Sequence, residues 1–311
     1  MIALIIVISV LVLWFFFGYF CFYLGCTSHR QEEKDGPAGG SNIPSNAKKA
    51  LAESKAWSDT IPHEKVIIRS LDGLSLYGRL ITAENPKGTV IFAHGYHSSC
   101  RRDLVIQARA VYNDGYNVLL VTHRAHGESE GRYITFGVKE SDDLILWAEF
   151  IESRYPSLPI ALMGLSMGGA TVMYTADKKL PDEVKCLIND CGFTSPWAIS
   201  ANTLLYKRFI LPFPTTFFMD IWSRILAKFS FFTTSSFRSL KKNTRPLLII
   251  HGDLDRFVPT KMSMKSAKID KERTELMIVQ GAKHAQAVYF DMDGYISKLL
   301  SFLNTNMTLR S

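Results

Sequence analysis

The sequence predicts an α/β protein, with a mostly parallel central sheet, helices on both faces, a helical cap and a transmembrane helix at the N-terminus. Short apolar runs rich in β-branched residues alternate with helical patterns from about residue 61 onward. One long helical segment interrupts this alternation, and an uncharged apolar stretch opens the chain. Strands of this kind are typical of a parallel sheet covered on both faces, in which functional sites gather at the carboxyl ends of the strands.

The apolar stretch at residues 2–26 is interpreted as a transmembrane anchor. Residues 2–25 carry no charge and, at about 1.5 Å per residue, are long enough to cross a hydrocarbon core of about 30 Å. A cleaved secretory signal is one alternative, although no Lys or Arg precedes the run and no small-x-small site ends it. A lipoprotein cysteine at Cys26 is another, with Tyr23 where a small aliphatic residue is expected.

The basic residues nearest this span favour a membrane protein whose main part faces the cytoplasm. Positive charges tend to stay on the cytoplasmic side of a span, and here they all follow it. The residues concerned are Arg30, Lys34, Lys48 and Lys49. A span with a one-residue tail tests this rule poorly, so the side of the membrane stays open.

Residues 27–60 are expected to form a flexible linker. Their central part, "DGPAGGSNIPSNAKK", is rich in Gly, Pro, Ser and Asn. Such a composition buries too little apolar surface to offset the entropy lost on ordering. The folded domain is therefore expected over residues 61–304.

Within that domain the apolar runs define a series of strands and helices. A hairpin is expected from "KVIIRS" and "LSLYGRLI" around the turn "LDG". Further strands are predicted at 89–94, 117–123, 160–164, 184–190, 246–252 and 275–280, and helices at 101–114, 139–153, from 167, at 260–269 and at 286–303.

The segment at about residues 195–243 is expected to form a cap. It lies between two predicted strands, has mostly helical patterning and contains two prolines. A long insertion at the carboxyl end of a strand is more often a lid than a structureless loop. Two roles are open for its aromatic residues: they form an apolar surface that receives an acyl chain or an aromatic acid, or they only pack the cap onto the domain. These residues are Phe209, Phe213, Phe217, Phe218, Trp222, Phe229, Phe231 and Phe232.

The composition argues against several other classes of protein. The net charge is +7, but the basic residues are scattered and the densest cluster, residues 238–245, holds four, so no nucleic-acid partner is expected. The five cysteines form no C-x-x-C motif and no Cys/His ligand spacing, so neither a structural metal nor a disulfide framework is expected. No organic cofactor is implied.

The stretch "ALMGLSMGGATV", residues 161–172, places Ser166 directly between a predicted strand and a predicted helix. A serine held on such a tight turn has strained backbone angles, and neighbouring glycines let the adjoining segments approach one another. Strand, G-x-S-x-G and helix together predict a nucleophile. The alternative interpretation is a glycine-rich turn in which the serine is incidental, and the position between a strand and a helix argues against it.

A serine nucleophile requires a base and a group that orients the base, and both are available further along the chain. Asp253 and Asp255 follow the strand at 246–252, and His284 follows the last strand. All of them leave the carboxyl ends of strands, the edge where Ser166 is expected. Cys100 and Cys191 are less suitable nucleophiles because neither lies in such a turn and buried thiols are usually inert.

An oxyanion hole is expected from two backbone N–H groups, because negative charge develops on the substrate's carbonyl oxygen. One belongs to Met167, directly after the serine. The other is expected from Tyr96, in the loop that follows the strand at 89–94.

These motifs together resemble the α/β-hydrolase superfamily, in particular membrane-tethered or cytosolic bacterial hydrolases grouped with serine aminopeptidase-like, cinnamoyl-esterase-like and BEM46-like proteins. The resemblance covers residues 61–304 and rests on "HGY" at 94, "HRAHGESEG" at 123, "GLSMGG" at 164, "HGDLDRFVP" at 251 and "GAKHA" at 281. It implies the α/β-hydrolase fold with Ser166 as nucleophile, His284 as base and Asp255 rather than Asp253 as acid. The chain departs from the family at His123, where relatives often have Asp.

The resulting functional hypothesis is a serine hydrolase that cleaves carboxylic esters, acyl or aromatic, through an acyl-enzyme on Ser166. The substrate is expected to be a small-molecule or lipid-like ester. A serine peptidase or amidase of the aminopeptidase-like type is the main alternative, since Asp220 is present in the cap. A catalytically silent, membrane-tethered binding module is a further one, against which the complete set of serine, acid and base argues.

Overall fold

Eight strands form one sheet in this computed structural model, which describes residues 1–28 and 36–308. The strands are β1 (Glu64–Arg69), β2 (Ser75–Ile81), β3 (Thr89–Ala93), β4 (Asn117–Val121), β5 (Ile160–Leu165), β6 (Val184–Asp190), β7 (Leu247–Gly252) and β8 (Thr274–Val279). Their order across the sheet is β1-β2-β4-β3-β5-β6-β7-β8.

The sheet is mostly parallel, as the sequence predicts. β1 pairs with β2 and β2 with β4 in antiparallel fashion, and every pairing from β4 to β8 is parallel. Strand order reverses at β3, which lies between β4 and β5. In open α/β sheets such a reversal opens a crevice at the carboxyl ends of the strands, where ligands bind.

Apolar layers cover both faces of the sheet. Side chains alternate along β3, so that Val90 and Phe92 belong to one buried cluster and Ile91 and Ala93 to the other. All five residues of β3 are buried. This burial on both faces explains why the central strands appear in the sequence as continuous apolar runs.

The helices lie where the helical patterns are found, with two of the predicted helices divided. They are α1 (Ile2–Cys26), α2 (Ser45–Thr60), α3 (Cys100–Asp103), α4 (Val105–Asn113), α5 (Glu140–Arg154), α6 (Met167–Thr175), α7 (Pro196–Arg208), α8 (Pro212–Trp222), α9 (Ser236–Leu240), α10 (Lys261–Ala267), α11 (Ala287–Phe290) and α12 (Met292–Asn306). The predicted helix at 101–114 is broken at Leu104, where the backbone leaves the helical region (φ −131°, ψ 9°). The one at 286–303 is broken at Asp291 (φ −143°).

The segment at 195–243 is helical and contains α7, α8, a π-helical turn at Ser223–Ala227 and α9. Ser195 caps α7, since its side chain accepts a hydrogen bond from the amide of Ala198. We call this segment the cap. Its inner side joins α6 in a third apolar cluster that includes Met167, Met219 and Phe231.

The prediction of a flexible linker over residues 27–60 is wrong for its second half. Residues 45–60 form α2, which packs against α4. Its buried residues are Ala47, Leu51, Ser54 and Ser58. They recur at intervals of four, three and four and form one narrow helical stripe. Two of the four are serines, so the composition of this segment is polar although one side of the helix is buried.

The residues before α2 are also packed where the structure describes them. Ala38 and Ile43 belong to the apolar layer that contains Leu51. Residues 29–35, which include the Arg30 and Lys34 of the orientation argument, lie outside the described residues. Lys48 and Lys49 are exposed on α2.

The N-terminal helix α1 is the one helix of the described residues that is long and apolar enough to cross a membrane. Its last turns nevertheless contact the folded domain. Phe22 and Cys26 are fully buried, and Thr27 forms an isolated antiparallel bridge with Tyr133. The apolar helix therefore continues directly into the domain.

We predict that Leu51→Ala destabilises the protein, because Leu51 is buried in the layer between α2 and the sheet. Removing a buried leucine side chain costs about 2–4 kcal/mol, which lowers the thermal midpoint by roughly 5–10 °C in a domain of this size. Thermal unfolding of the full chain in detergent measures it. Lys49→Ala on the exposed side of α2 is the matched control and is expected to leave the midpoint unchanged. Equal midpoints for both variants would mean that α2 is not part of the folded unit.

Candidate active site

Ser166 lies on a sharp turn between β5 and α6, and its backbone has positive φ (56°, with ψ −110°). The surrounding glycines permit this conformation. A Cβ atom added to Gly164 would lie 2.2 Å from the backbone carbonyl carbon of Gly168, and one added to Gly168 would lie 1.9 Å from the carbonyl oxygen of Ala93. The backbone amide of Ser166 donates to the carbonyl of Asp190 at 2.8 Å. The first turn of α6 is thus held directly against β3 and β5.

The structure brings His284 to Ser166 across the carboxyl edge of the sheet. His284 Nε2 lies 2.9 Å from Ser166 Oγ, and His284 Nδ1 lies 2.7 Å from Asp255 Oδ2. Asp255 follows β7, and His284 follows β8. The three side chains that the sequence singles out therefore form one continuous line of hydrogen bonds.

Asp255 is held as an ionised acceptor. Its Oδ1 accepts hydrogen bonds from the amides of Phe257 and Val258, each at 2.9 Å. Burial by itself would raise the pKa of Asp255, but hydrogen bonds from His251 and His284 outweigh it and lower the pKa to about 2. Because an ionised carboxylate only accepts, His284 carries its proton on Nδ1, which leaves Nε2 free to accept from the serine hydroxyl.

Asp253 does not reach His284. Its Oδ1 accepts a hydrogen bond from the amide of Gly281 at 2.7 Å, and its own amide donates to the carbonyl of Val279. Asp253 therefore ties the end of β7 to the loop that carries His284. Of the two carboxylates that follow β7, Asp255, the one that the family resemblance implies as the acid, is the one next to the histidine.

His251 is a neighbour of the acid that the sequence analysis did not single out. Its Nε2 lies 3.1 Å from Asp255 Oδ2 and 2.9 Å from the carbonyl oxygen of Val258, and its Nδ1 lies 2.7 Å from Ser263 Oγ. The ring is fully buried. The only signal in the sequence is its place four residues before Asp255.

The two expected oxyanion donors lie in different surroundings. Met167 is the first residue of α6, so its amide has no acceptor within the helix. In the loop after β3, the amide of Gly95 donates to Asp103 Oδ2 at 2.8 Å and the amide of His97 donates to His126 Nε2 at 3.0 Å. Between them, the amide of Tyr96 makes no hydrogen bond to any part of the chain that the structure describes.

The loop of Tyr96 lies beside the nucleophile. A Cβ atom added to Gly95 would lie 3.6 Å from Ser166 Cβ. The Tyr96 ring stacks on Phe136, with centroids 5.6 Å apart, and its hydroxyl donates to the carbonyl of Gly25 in α1 at 2.9 Å. The end of the apolar N-terminal helix is therefore bonded to the same residue that is expected to serve the oxyanion hole.

His123, the departure from the family pattern, takes part in a buried group of three histidines. Its amide donates to His94 Nε2 at 3.1 Å, and the His94 and His123 rings pack with centroids 4.7 Å apart. His126, the third member, supports the Tyr96 loop through the amide of His97. Burial lowers the pKa of all three rings, so they stay neutral.

Cys191 is a second side chain near the line of hydrogen bonds that could in principle act as a nucleophile. Candidate ligand atoms of Cys191, Asp255 and His284 lie within 4.8 Å of one another, the one such group found in the described residues. Burial raises the pKa of the Cys191 thiol well above its usual range, which disfavours the thiolate that both nucleophilic attack and metal ligation need. Cys100 is also buried, with its sulfur 3.2 Å from the carbonyl oxygen of Phe92.

A mostly parallel sheet whose order reverses at β3, with a serine on the strand-to-helix turn of β5 and α6, defines the α/β hydrolases that act through a serine. The family model described as serine aminopeptidase, S33 (Hydrolase_4), matches residues 84–233. That range holds Tyr96 and Ser166, while Asp255 and His284 lie beyond it.

Individual proteins support the same classification. Protein ABHD12B of Homo sapiens is 29% identical over 203 residues, which cover 61% of this chain and 53% of that protein. Monoglyceride lipase of Mus musculus is 24% identical over 234 residues, 64% of this chain and 76% of that protein. The structure of the esterase Pf2001 of Pyrococcus furiosus superposes with a TM-score of 0.66 at 23% identity and covers 89% of this chain and 99% of that one. This chain therefore has the α/β-hydrolase fold and is a serine hydrolase similar to these proteins.

Proposed function

We propose that this chain hydrolyses carboxylic esters through an acyl-enzyme formed on Ser166. The observation that carries the proposal is the line of hydrogen bonds from Ser166 Oγ through His284 to Asp255, with lengths of 2.9 and 2.7 Å. A serine hydroxyl is a weak nucleophile until a base removes its proton, and that base must be oriented.

The first half of the reaction transfers the acyl group to the enzyme. His284 Nε2 takes the hydroxyl proton as Ser166 Oγ attacks the ester carbonyl carbon, and Asp255 stabilises the imidazolium that forms. The negative oxygen of the tetrahedral intermediate is bound by the amides of Tyr96 and Met167. The intermediate then collapses, and the alcohol leaves with the proton from His284.

The second half returns the enzyme to its starting state. A water molecule gives a proton to His284 Nε2 and attacks the acyl carbon. Collapse of the second tetrahedral intermediate breaks the bond to Ser166 Oγ, which recovers its proton, and the carboxylic acid departs. Neither half requires a metal or an organic cofactor.

Charges in the cap favour an ester over a substrate with a free amine. Asp220 is the only acidic residue of residues 195–243, and it is buried and bonded to the Arg224 guanidinium, the Ser230 hydroxyl and the Phe231 amide. Because Asp220 is buried and its charge is already paired with a guanidinium, it is a poor partner for a substrate ammonium. In contrast, Lys207 lies with its Nζ 4.1 Å from the ring centroid of Phe257, which itself packs against His284.

A peptidase or amidase is the second candidate, because the matching family model is described as a serine aminopeptidase. The same line of hydrogen bonds serves amide cleavage. An aminopeptidase, however, needs a group that recognises the amino terminus of its substrate. Lys207, which lies over Phe257 beside His284, repels that ammonium.

We further propose that residues 2–26 anchor the enzyme in a membrane and that residues 195–243 act as the cap of the catalytic domain. Support for an anchor over a cleaved signal comes from packing. Phe15, Gly18 and Tyr19 contact cap helix α8, and loss of α1 would expose the apolar side chains beneath them. The cytoplasmic orientation stays a prediction.

A substrate panel tests the proposed reaction. Full-length protein is expected to hydrolyse short and medium-chain p-nitrophenyl esters, and Ser166→Ala is expected to lose at least about a thousandfold of that rate. Aminoacyl p-nitroanilides are expected to be poor substrates. Efficient cleavage of the anilides, with the esters left untouched, would instead establish the peptidase.

The two neighbouring carboxylates offer a matched pair of variants. Asp255→Asn removes the charge that orients His284 and is expected to lower kcat by about three to four orders of magnitude. Asp253→Asn keeps an oxygen to accept from Gly281 and is expected to change kcat by no more than a few-fold. Steady-state ester hydrolysis measures both. Equal losses in the two variants would contradict the assignment of Asp255 as the acid.

A further inference from the structure

The N-terminal helix is free of the protein for only half of its length. Residues 1–13 are exposed throughout, whereas packing against the folded domain begins at residues 14 and 15. At about 1.5 Å per residue, residues 1–13 extend about 20 Å, while the hydrocarbon core of a bilayer is about 30 Å thick. The remaining distance must be covered by residues that contact the cap.

The contact between α1 and cap helix α8 is close and specific. A Cβ atom added to Gly18 would lie 2.4 Å from Phe218 Cβ, so only glycine allows this approach. Trp222 donates its indole N–H to the carbonyl of Phe15 at 3.0 Å and packs against the rings of Phe15 and Tyr19. As α1 is followed back from Gly18 to Phe15, the contact moves forward from Phe218 to Trp222. The two helices are thus antiparallel, and the end of α8 points along α1 toward its free half.

The other side of the packed half of α1 remains apolar and uncovered. Its exposed residues there include Phe16, Phe20 and Leu24. Contact with lipid explains an apolar surface that continues as far as residue 24, because exposure of such a surface to water is unfavourable. Residues 4–24 span about 30 Å and match the hydrocarbon core.

The cap carries an apolar surface of its own. Nine exposed large apolar side chains of the described residues lie in the cap, and six lie in the rest of the domain after α1. Those of the cap are Trp197, Leu205, Tyr206, Phe209, Leu211, Phe213, Phe217, Ile225 and Phe232. Soluble proteins rarely expose so many apolar side chains in one segment unless it binds an apolar partner.

We propose that the edge of the cap formed by α8 and the π-helical turn lies inside the bilayer leaflet beside α1, so that the cap separates the lipid phase from Ser166. The occupant of this surface is the bilayer itself, since the surface is continuous with a helix long enough to span it. Resting on the proposed esterase function, this assigns the substrate class: acyl esters dissolved in the leaflet, which reach the serine beneath the cap without passing through water.

The charges of this edge are compatible with such a position. Arg224, in the π-helical turn, forms an ion pair with Asp220 at 2.6 Å, and the carboxylate offsets its charge. Arg224 also donates a hydrogen bond to Ser230. Lys228 follows the π-helical turn and is exposed. Basic side chains of this kind extend toward lipid phosphates at the membrane surface.

Depth measurements by electron paramagnetic resonance test the position of the cap. Nitroxides are attached to Phe217→Cys, Ile225→Cys and the control Leu71→Cys in full-length protein in vesicles of phosphatidylcholine and phosphatidylglycerol. The parent residues are exposed (48%, 50% and 77%), and the five native cysteines are all buried. Labels at 217 and 225 are expected to be reached preferentially by oxygen, and the label at 71 by a water-soluble nickel complex. Preferential access of the nickel complex at 217 and 225 would overturn the proposal.

A kinetic comparison tests the route of the substrate. Ile225→Asp places a charge on the proposed immersed edge, where Ile225 is 50% exposed, and is expected to lower hydrolysis of a long-chain ester dissolved in the vesicles by about tenfold. Its rate on water-soluble p-nitrophenyl acetate, and both rates of the control Leu71→Asp, are expected to be unchanged. An unchanged rate on the vesicle ester would overturn the route. Absence of all ester hydrolysis in the parent protein would reject the proposed function, while the nitroxide measurement would still decide the position of the cap.

Discussion

The close approach of the first turn of α6 to strands β3 and β5 is the constraint on which the rest of the site depends. Gly164 and Gly168 leave no room for a Cβ atom, and Ser166 between them has positive φ. A non-glycine residue in that conformation stores strain that the surrounding structure must hold. Here the hydrogen bond from the Ser166 amide to Asp190 and the packing of α6 hold it, which aims the serine oxygen at His284.

The end of the apolar helix and the segment that follows it support two loops of this site. At one end, the Gly25 carbonyl accepts from the hydroxyl of Tyr96. Further along, Gly39 packs so closely on the His284 loop that an added Cβ atom would lie 2.0 Å from the His284 carbonyl oxygen, and its own carbonyl accepts from Gln286. The end of the apolar helix and the residues around Gly39 are thus built into the catalytic domain rather than tethered to it.

The sequence predicts the fold well because its signals are local and strong. Strands buried on both faces, such as β3, require continuous apolar runs, and the turn at Ser166 requires glycines at particular positions. Spacing alone orders the acid and the base along the chain without choosing between Asp253 and Asp255, because that choice depends on which carboxylate meets His284 in space. The resemblance to a known family supplies the choice of Asp255. His251 is marked in the sequence only by its place four residues before Asp255.

Two features escape sequence reasoning for physical reasons. The buried stripe on α2 includes Ser54 and Ser58. These small polar residues are buried in the structure, whereas amino-acid composition alone predicts that they are exposed to solvent. The packing of α1 on the cap joins residues about 200 positions apart, and the apolar side chains of both segments have other sufficient explanations. Only their juxtaposition shows that Gly18 and Phe218 fit together.

The proposed reaction requires a covalent bond between Ser166 Oγ and the acyl group of the substrate, and mass spectrometry of labelled protein detects the reactivity of this serine. Folded full-length protein is treated with a fluorophosphonate, which reacts with activated serines, and its peptides are analysed. We expect one adduct, on the peptide that contains Ser166, and none in Ser166→Ala. An adduct on another residue, or none on the folded parent protein, would contradict it.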